Sequence, residues 1–186
     1  MTDSKIHILT CALKLFLEKG YDRATMMDLV RATGLSKGAF YHYFKNKEEL
    51  YQATIEHYFL RFFQTEANLP EDLDAFLEML WQSYVNMLLE LQKEIPDLSA
   101  YYRFLFAVLP RIRPELVAYH QQVREVLIQN LTGQVRPSAI SPEQAADHIL
   151  ALIEGTGMLA VVRGTAGLEE QFKASLNSYL ALIRSK

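Results

Sequence analysis

Residues 25–53 read TMMDLVRATGLSKGAFYHYFKNKEELYQA. Thr25 opens Thr-Met-Met-Asp, where a hydroxyl at a helix start accepts from the third amide and Asp28 reaches back to the first. Gly34 ends that short helix, since glycine accepts the left-handed backbone of a helix stop. Ser36 then caps a second helix from Lys37 to about Phe44, and Asn46 caps a longer one carrying Leu50, Ile55, Tyr58 and Phe62. Two short helices separated by a Gly-Leu turn have the size and spacing of a helix-turn-helix.

Upstream, Ile6, Leu9, Leu13, Phe16 and Leu17 form a helical stripe over residues 3–19 that stops at Gly20. Leu29, Val30, Leu35, Phe40 and Phe44 are placed to pack the two short helices onto it. The outward positions of the second helix are then Lys37, Gly38, Ala39, Tyr41, His42 and Tyr43. They combine a cation, small residues that permit close approach, and hydrogen-bonding aromatics. A helix of about two turns is long enough to reach three or four base pairs in a major groove. Thr25 with the amides that follow it makes one anion site, and Lys47 with the amides after Asn46 makes another, with the Tyr43 hydroxyl between. Tyr41 serves equally as a packing residue, His42 as a core histidine and Lys45 as a solvated charge.

Residues 8–54 resemble the N-terminal domain of the tetracycline-repressor (TetR) family. The resemblance is carried by the Gly34-Leu35-Ser36 turn, the Phe40-Tyr41-His42-Tyr43-Phe44 block and the Lys47-Glu48-Glu49-Leu50 helix start. It implies an all-α homodimer with a three-helix DNA-binding domain and a larger helical domain for ligand binding and dimerisation. It places Lys37, Gly38, Ala39, Tyr41 and His42 at the groove, and Thr25, Tyr43 and Lys47 on the DNA backbone. Ser36, which caps the reading helix, is counted with them. Gly38 stands where a side-chain-bearing reader would make a base contact, so the recognised sequence cannot be written down.

Downstream, the pattern gives helices over about 71–93, 97–109, 110–131, 142–163 and 168–183, with Pro110 and Pro114 punctuating the third and Ser141-Pro142-Glu143-Gln144 opening the fourth. The expectation is nine helices without a sheet, divided into residues 1–46 and 47–186. Aromatic and polar residues suggest an inducer pocket from Trp81, Tyr84, Tyr101, Tyr102, Phe104, Tyr119, His120, Glu154 and Met158, although an aromatic stripe at helical spacing also builds ordinary core. His148, Leu152, Thr156 and Leu159 on one helix, with Phe172, Leu176 and Tyr179 on the next, offer more apolar surface than one chain needs. The resemblance makes that surface a four-helix bundle with a second subunit.

The net charge of −3 conceals an asymmetry. Residues 1–50 carry +2 and the remainder −5, which suits a weakly basic DNA-facing module on an acidic body. The five histidines lack paired metal spacing, no Ser or Cys lies in a nucleophile motif, and Cys11 has no disulfide partner. Gly155-Thr-Gly-Met-Leu-Ala mimics a dinucleotide fingerprint but falls inside a helix, so Gly157, Ala160 and Gly164 read as a close-packing face. No cofactor is expected, and no enzyme activity. Polar groups interrupt every apolar run short of the roughly 18 residues of a membrane span, and the N-terminus lacks a secretory layout, so a cytoplasmic protein is expected. The resulting expectation is a homodimeric repressor, released from a near-palindromic operator by a small apolar or aromatic ligand. An activator of the same fold and a helical interaction protein that never touches DNA remain as alternatives.

Overall fold

The computed structural model of the chain describes residues 3–63, 69–95, 97–136 and 138–184. Among them are eight α-helices: α1 (Asp3–Lys19), α2 (Met26–Thr33), α3 (Lys37–Tyr43), α4 (Lys47–Tyr58), α5 (Leu73–Glu94), α6 (Leu98–Leu131), α7 (Pro142–Arg163) and α8 (Leu168–Ile183). A 3-10 turn over Leu60–Phe63 follows α4, and no strand occurs among the described residues.

The count of nine helices is corrected to eight because the two helices expected over 97–131 are one. A proline inside a helix removes one backbone hydrogen bond and normally kinks or ends it. Here the two deprived carbonyls belong to Phe106 and Pro110, four residues before Pro110 and Pro114. Phe106 and both prolines are exposed, whereas Val108 and Ile112 are buried. Water therefore satisfies what the prolines forfeit, while the apolar side of the helix stays packed.

The chain divides into two compact units, Met1–Gln64 with Leu91–Arg113, and Thr65–Glu90 with Pro114–Lys186. In the first, Ile8, Leu9, Leu13 and Phe16 of α1 are buried together with Leu29, Phe40, Phe44, Leu50 and Ile55. The unit extends beyond residue 46 because α4, Phe59 after it and the first part of α6 meet through aromatic side chains. Tyr51 meets Phe16 edge-on at 4.8 Å, Phe59 stacks on Tyr101 at 4.9 Å, and Phe104 touches both Tyr51 and Phe59. The Thr10 and Tyr58 hydroxyls share a hydrogen bond of 2.8 Å, which satisfies two polar groups at the edge of this core.

In the second unit α7 packs against α8. Ser141 and Gln144 form a reciprocal capping box with Pro142 in the first turn, as the sequence led one to expect. By length and composition alone α7, at 22 residues, is long and apolar enough to cross a membrane, an 18-residue window of it having a mean hydropathy of 1.5. Its apolar character has a local use, since Ala145, Ala146, Ile149, Ile153 and Ala160 line the unit's core. The side chain of Tyr84 on α5 lies directly against Gly157, where a Cβ would fall on the ring and its hydroxyl. The glycine supplies the notch that the tyrosine fills. Gly157→Ala is therefore expected to lose about 1–3 kcal/mol through overpacking. Denaturant unfolding of a double-mutant cycle with Tyr84→Ala checks this: the double variant should be less destabilised than the two single losses added together.

Candidate nucleic-acid interface

Three short segments set the geometry of the N-terminal surface. Thr25 has extended backbone (φ −102°, ψ 158°) and its hydroxyl accepts from Asp28 N at 3.1 Å, while Asp28 Oδ2 accepts from Thr25 N at 3.2 Å. Hydrogen bonding from the Thr25 hydroxyl and the Thr25 amide holds the Asp28 carboxyl below the usual carboxylate range, with Lys19 assisting at 3.4 Å. Gly34, at φ 67°, closes α2 in the left-handed conformation that a side chain resists. The turn beneath it is pinned by Thr33, whose hydroxyl donates to Val30 O at 2.8 Å and whose carbonyl accepts from His7 Nε2 at 3.0 Å. His7 is a positioning residue that the sequence reading missed, because its partner lies 26 residues away.

Ser36 caps α3 by accepting from Ala39 N at 3.2 Å. Phe40 and Phe44 turn fully inward. Lys37, Gly38, Ala39 and His42 are exposed, and Tyr41 and Tyr43 are half-buried. Lys37 Nζ lies 5.9 Å above the Tyr41 ring, and His42 meets Tyr43 edge-on. At Gly38 a Cβ would meet nothing within 4 Å, so packing does not require the glycine. It lowers the profile of an outward helix face. Thr25 thus stands at the α2 cap, and Ser36, Lys37, Gly38, Ala39, Tyr41, His42 and Tyr43 follow one another along the turn and α3, with six of the eight exposed.

Lys47 sits differently. Its ammonium donates to Tyr21 O at 2.8 Å and Asp22 O at 3.4 Å, and lies 4.3 Å over the Tyr21 ring. Next to it Glu48 accepts from the Tyr21 hydroxyl at 2.5 Å and pairs with Arg111 of α6. The Arg111 guanidinium is 5.4 Å from the Tyr21 ring and 5.0 Å from that of Tyr51. Arg111 and Tyr21 together hold Glu48 below the usual carboxylate range, and the bond to Glu48 raises Tyr21. The start of α4, capped by Asn46 on Glu49 N at 2.8 Å, is in this way tied to the α1–α2 loop.

The remaining expected residues separate. Tyr101 and Phe104 are core of the first unit, with Tyr102 half-buried beside Tyr101. Trp81 in the second unit is buried and stacked on Phe172 at 3.7 Å. His120 Nε2 stands 3.9 Å from Glu154 Oε1, Tyr119 is half-buried, and Met158 is exposed. A cavity of about 270 Å³ between α5 and α8 takes from these nine residues only Trp81. Of the expected interface residues, Thr156, Phe172 and Leu176 are buried within the protomer. His148 and Leu159 are exposed, and Leu152 and Tyr179 half-buried, with His148 Nδ1 and the Tyr179 hydroxyl 3.0 Å apart. No group of three metal-binding side chains comes together among the described residues.

The profile of bacterial regulatory proteins of the tetR family matches residues 8–54, the segment whose caps and helix α3 are described above. Over that segment the chain is similar to the tetR family of bacterial regulatory proteins. It is 36% identical over 73 residues to YerO of Bacillus subtilis, an uncharacterised HTH-type transcriptional regulator, spanning 39% of this chain and only 25% of YerO. Over 159 residues, 81% of this chain and 80% of the relative, it is 26% identical to IcaR of Staphylococcus epidermidis, the negative transcriptional regulator of the biofilm operon icaADBC. The fold matches that of the Stenotrophomonas maltophilia repressor SmeT in complex with triclosan, with a TM-score of 0.63, 23% identity and coverage of 100% and 93%. The TetR-type fold therefore extends over the whole chain, whereas the strongest sequence likeness is N-terminal.

Glu48 has a consequence for pH. Its folded pKa is lowered, so its contribution is complete above the unfolded value near 4.3 and is lost as pH falls through the lower folded value. Glu48→Gln should accordingly be less stable than the parent at neutral pH, and the gap should close below about pH 4. Denaturant melts of both proteins at pH 7 and pH 3 read the difference.

Proposed function

We propose that this protein is a homodimeric transcriptional repressor that binds duplex DNA through α3 and is released by a small ligand. The observation that carries the reading is the α2–α3 surface, where the inward residues are spent on packing and the outward ones are a cation, two small residues, a histidine and two tyrosines. Such a face suits direct contact with base edges, and the amides at the start of α2 and α4 suit phosphates. IcaR is a negative regulator by name, which supports repression over activation. SmeT takes triclosan, which supports a small apolar or aromatic ligand. As a regulator of DNA the protein works in the cytoplasm.

Dimerisation is supported by an exposed stripe on α7 and α8. His148, Leu152, Leu159 and Val162 recur at helical spacing on α7, and Val162 and Leu182 are 77% and 68% exposed. Large apolar side chains left this open mark an interface. A two-fold pairing of the α7–α8 faces gives two reading helices for a near-palindromic site. Val162→Glu is expected to convert the dimer to monomer in sedimentation velocity, and to weaken operator binding with it.

Selection of bound duplexes from a random DNA pool tests the whole reading. An enriched near-palindrome is expected, with affinity falling as salt rises. A folded dimer that enriches nothing at low salt overturns it in favour of an interaction protein. On the selected site, His42→Ala should cost about 1–3 kcal/mol and relax preference at one base position. Gly38→Ala should leave the fold as stable or more so, by up to about 1 kcal/mol, while lowering operator affinity. Thermal melts and fluorescence-anisotropy titrations separate the two effects.

A further inference from the structure

We propose that the α5–α8 groove of the second unit binds a small uncharged molecule that carries a carbonyl oxygen on an apolar body. The proposal rests on the small-molecule half of the reading above. The groove holds about 270 Å³, and its wall is Trp81, Phe172, Leu176 and Leu180, all buried. A space just under the usual range of ligand sites, which starts at about 300 Å³, admits a small molecule built on a single ring.

The charged groups at its rim are already paired. Lys173 Nζ binds Glu78 at 3.1 Å and Glu169 at 2.9 Å, and Arg184 Nη2 binds Asp74 Oδ1 at 2.5 Å. Asp74, Glu78, Lys173 and Arg184, the four charged side chains on the lining, sum to zero, so the groove makes no demand for an ion. What it leaves over is donors. The Trp81 indole N–H and the Arg184 Nε–H are both buried, and neither has an acceptor among the described residues. An unpaired buried donor is costly and rare in a folded protein, and here two such donors belong to residues lining one groove. Asp74, which holds Arg184, and Trp81 are seven residues apart on α5, about 10 Å along the helix. An acceptor oxygen at either end, with an apolar body against Phe172 and Leu176, completes what the chain leaves open.

Trp81 is the single tryptophan, so the full-length protein gives one indole N–H resonance. Acetophenone and N-methylbenzamide are expected to move it downfield, saturably and with one site per chain, as the N–H gains an acceptor. Ethylbenzene, which lacks the oxygen, and benzoate, which adds a charge, should bind at least several-fold more weakly by calorimetry. Trp81→Phe keeps the stacked ring and removes the donor, and Arg184→Lys keeps the pair with Asp74 and removes Nε–H. Each should weaken the carbonyl compounds about tenfold, measured below the melting temperature of each variant, which for Trp81→Phe is expected to fall with the lost core volume. The proposal is overturned if neither carbonyl compound shifts the resonance at millimolar concentration, if benzoate binds more tightly, or if both variants bind like the parent. Operator binding is measured in parallel. A protein that holds the operator but ignores the carbonyl compounds loses only the groove, and one that takes them but holds no duplex loses only the DNA reading.

Discussion

Helix caps are the constraint on which the N-terminal unit depends. α2 has 8 residues and α3 has 7, both well under the roughly 12–15 needed for a helix to persist alone. Each is held by a short polar side chain on its third amide, Thr25 on Asp28 and Ser36 on Ala39, and Asn46 repeats the device on Glu49 for α4. A cap on the third amide leaves the first two pointing outward. At α2 and α4 the bond that keeps the helix folded therefore also presents the amides that suit a phosphate.

Those helices are fixed as a set by contacts distant in sequence. Glu48 joins Tyr21 of the α1–α2 loop to Arg111 of α6, and Lys47 caps two carbonyls of that loop. Because Glu48 and Arg111 are about half exposed, their attraction is screened and contributes modestly. Its effect is geometric. The guanidinium is held over two tyrosine rings that themselves touch Phe16, so a polar contact is braced by an aromatic cluster. The start of α4 is accordingly held by a residue 63 positions further along the chain.

Features set by neighbouring residues were legible in the sequence. The caps at Thr25, Ser36, Asn46 and Ser141 and the stop at Gly34 all depend on a few consecutive side chains, and the structure has each one. Features set by partners far along the chain were not. Pro110 and Pro114 read as a break because nothing local says that their deprived carbonyls face water. The aromatics of α5 and α6 read as one pocket because a tyrosine that stacks on Phe59 and one that fills the notch at Gly157 look alike in sequence. Phe172 and Leu176 read as interface because the apolar stripe of α8 does not reveal that Trp81 covers part of it. Glycine carried the clearest long-range signal, since the small-residue face at Gly157 had a physical partner waiting.

The electrostatics of the first fifty residues bear on why such a protein would need to be a dimer. The segment has only two excess positive charges, and several of its cations are occupied. Lys19 and Arg31 share Asp28, Lys47 rests on loop carbonyls, and Lys5 lies over the Phe44 ring. Beside the reading helix, Lys37 and Lys45 remain exposed. Non-specific affinity for DNA scales with the number of phosphates that cations neutralise, so one such unit on an acidic body has little of it. Joining two units through the α7–α8 stripe makes the second contact intramolecular and multiplies affinity without adding charge. In the proposed dimer, base-edge contacts then account for a larger share of binding than in a strongly basic protein. In that dimer the low charge of the first fifty residues and the apolar face of α7 and α8 form a single arrangement, in which neither part would suffice for selective binding.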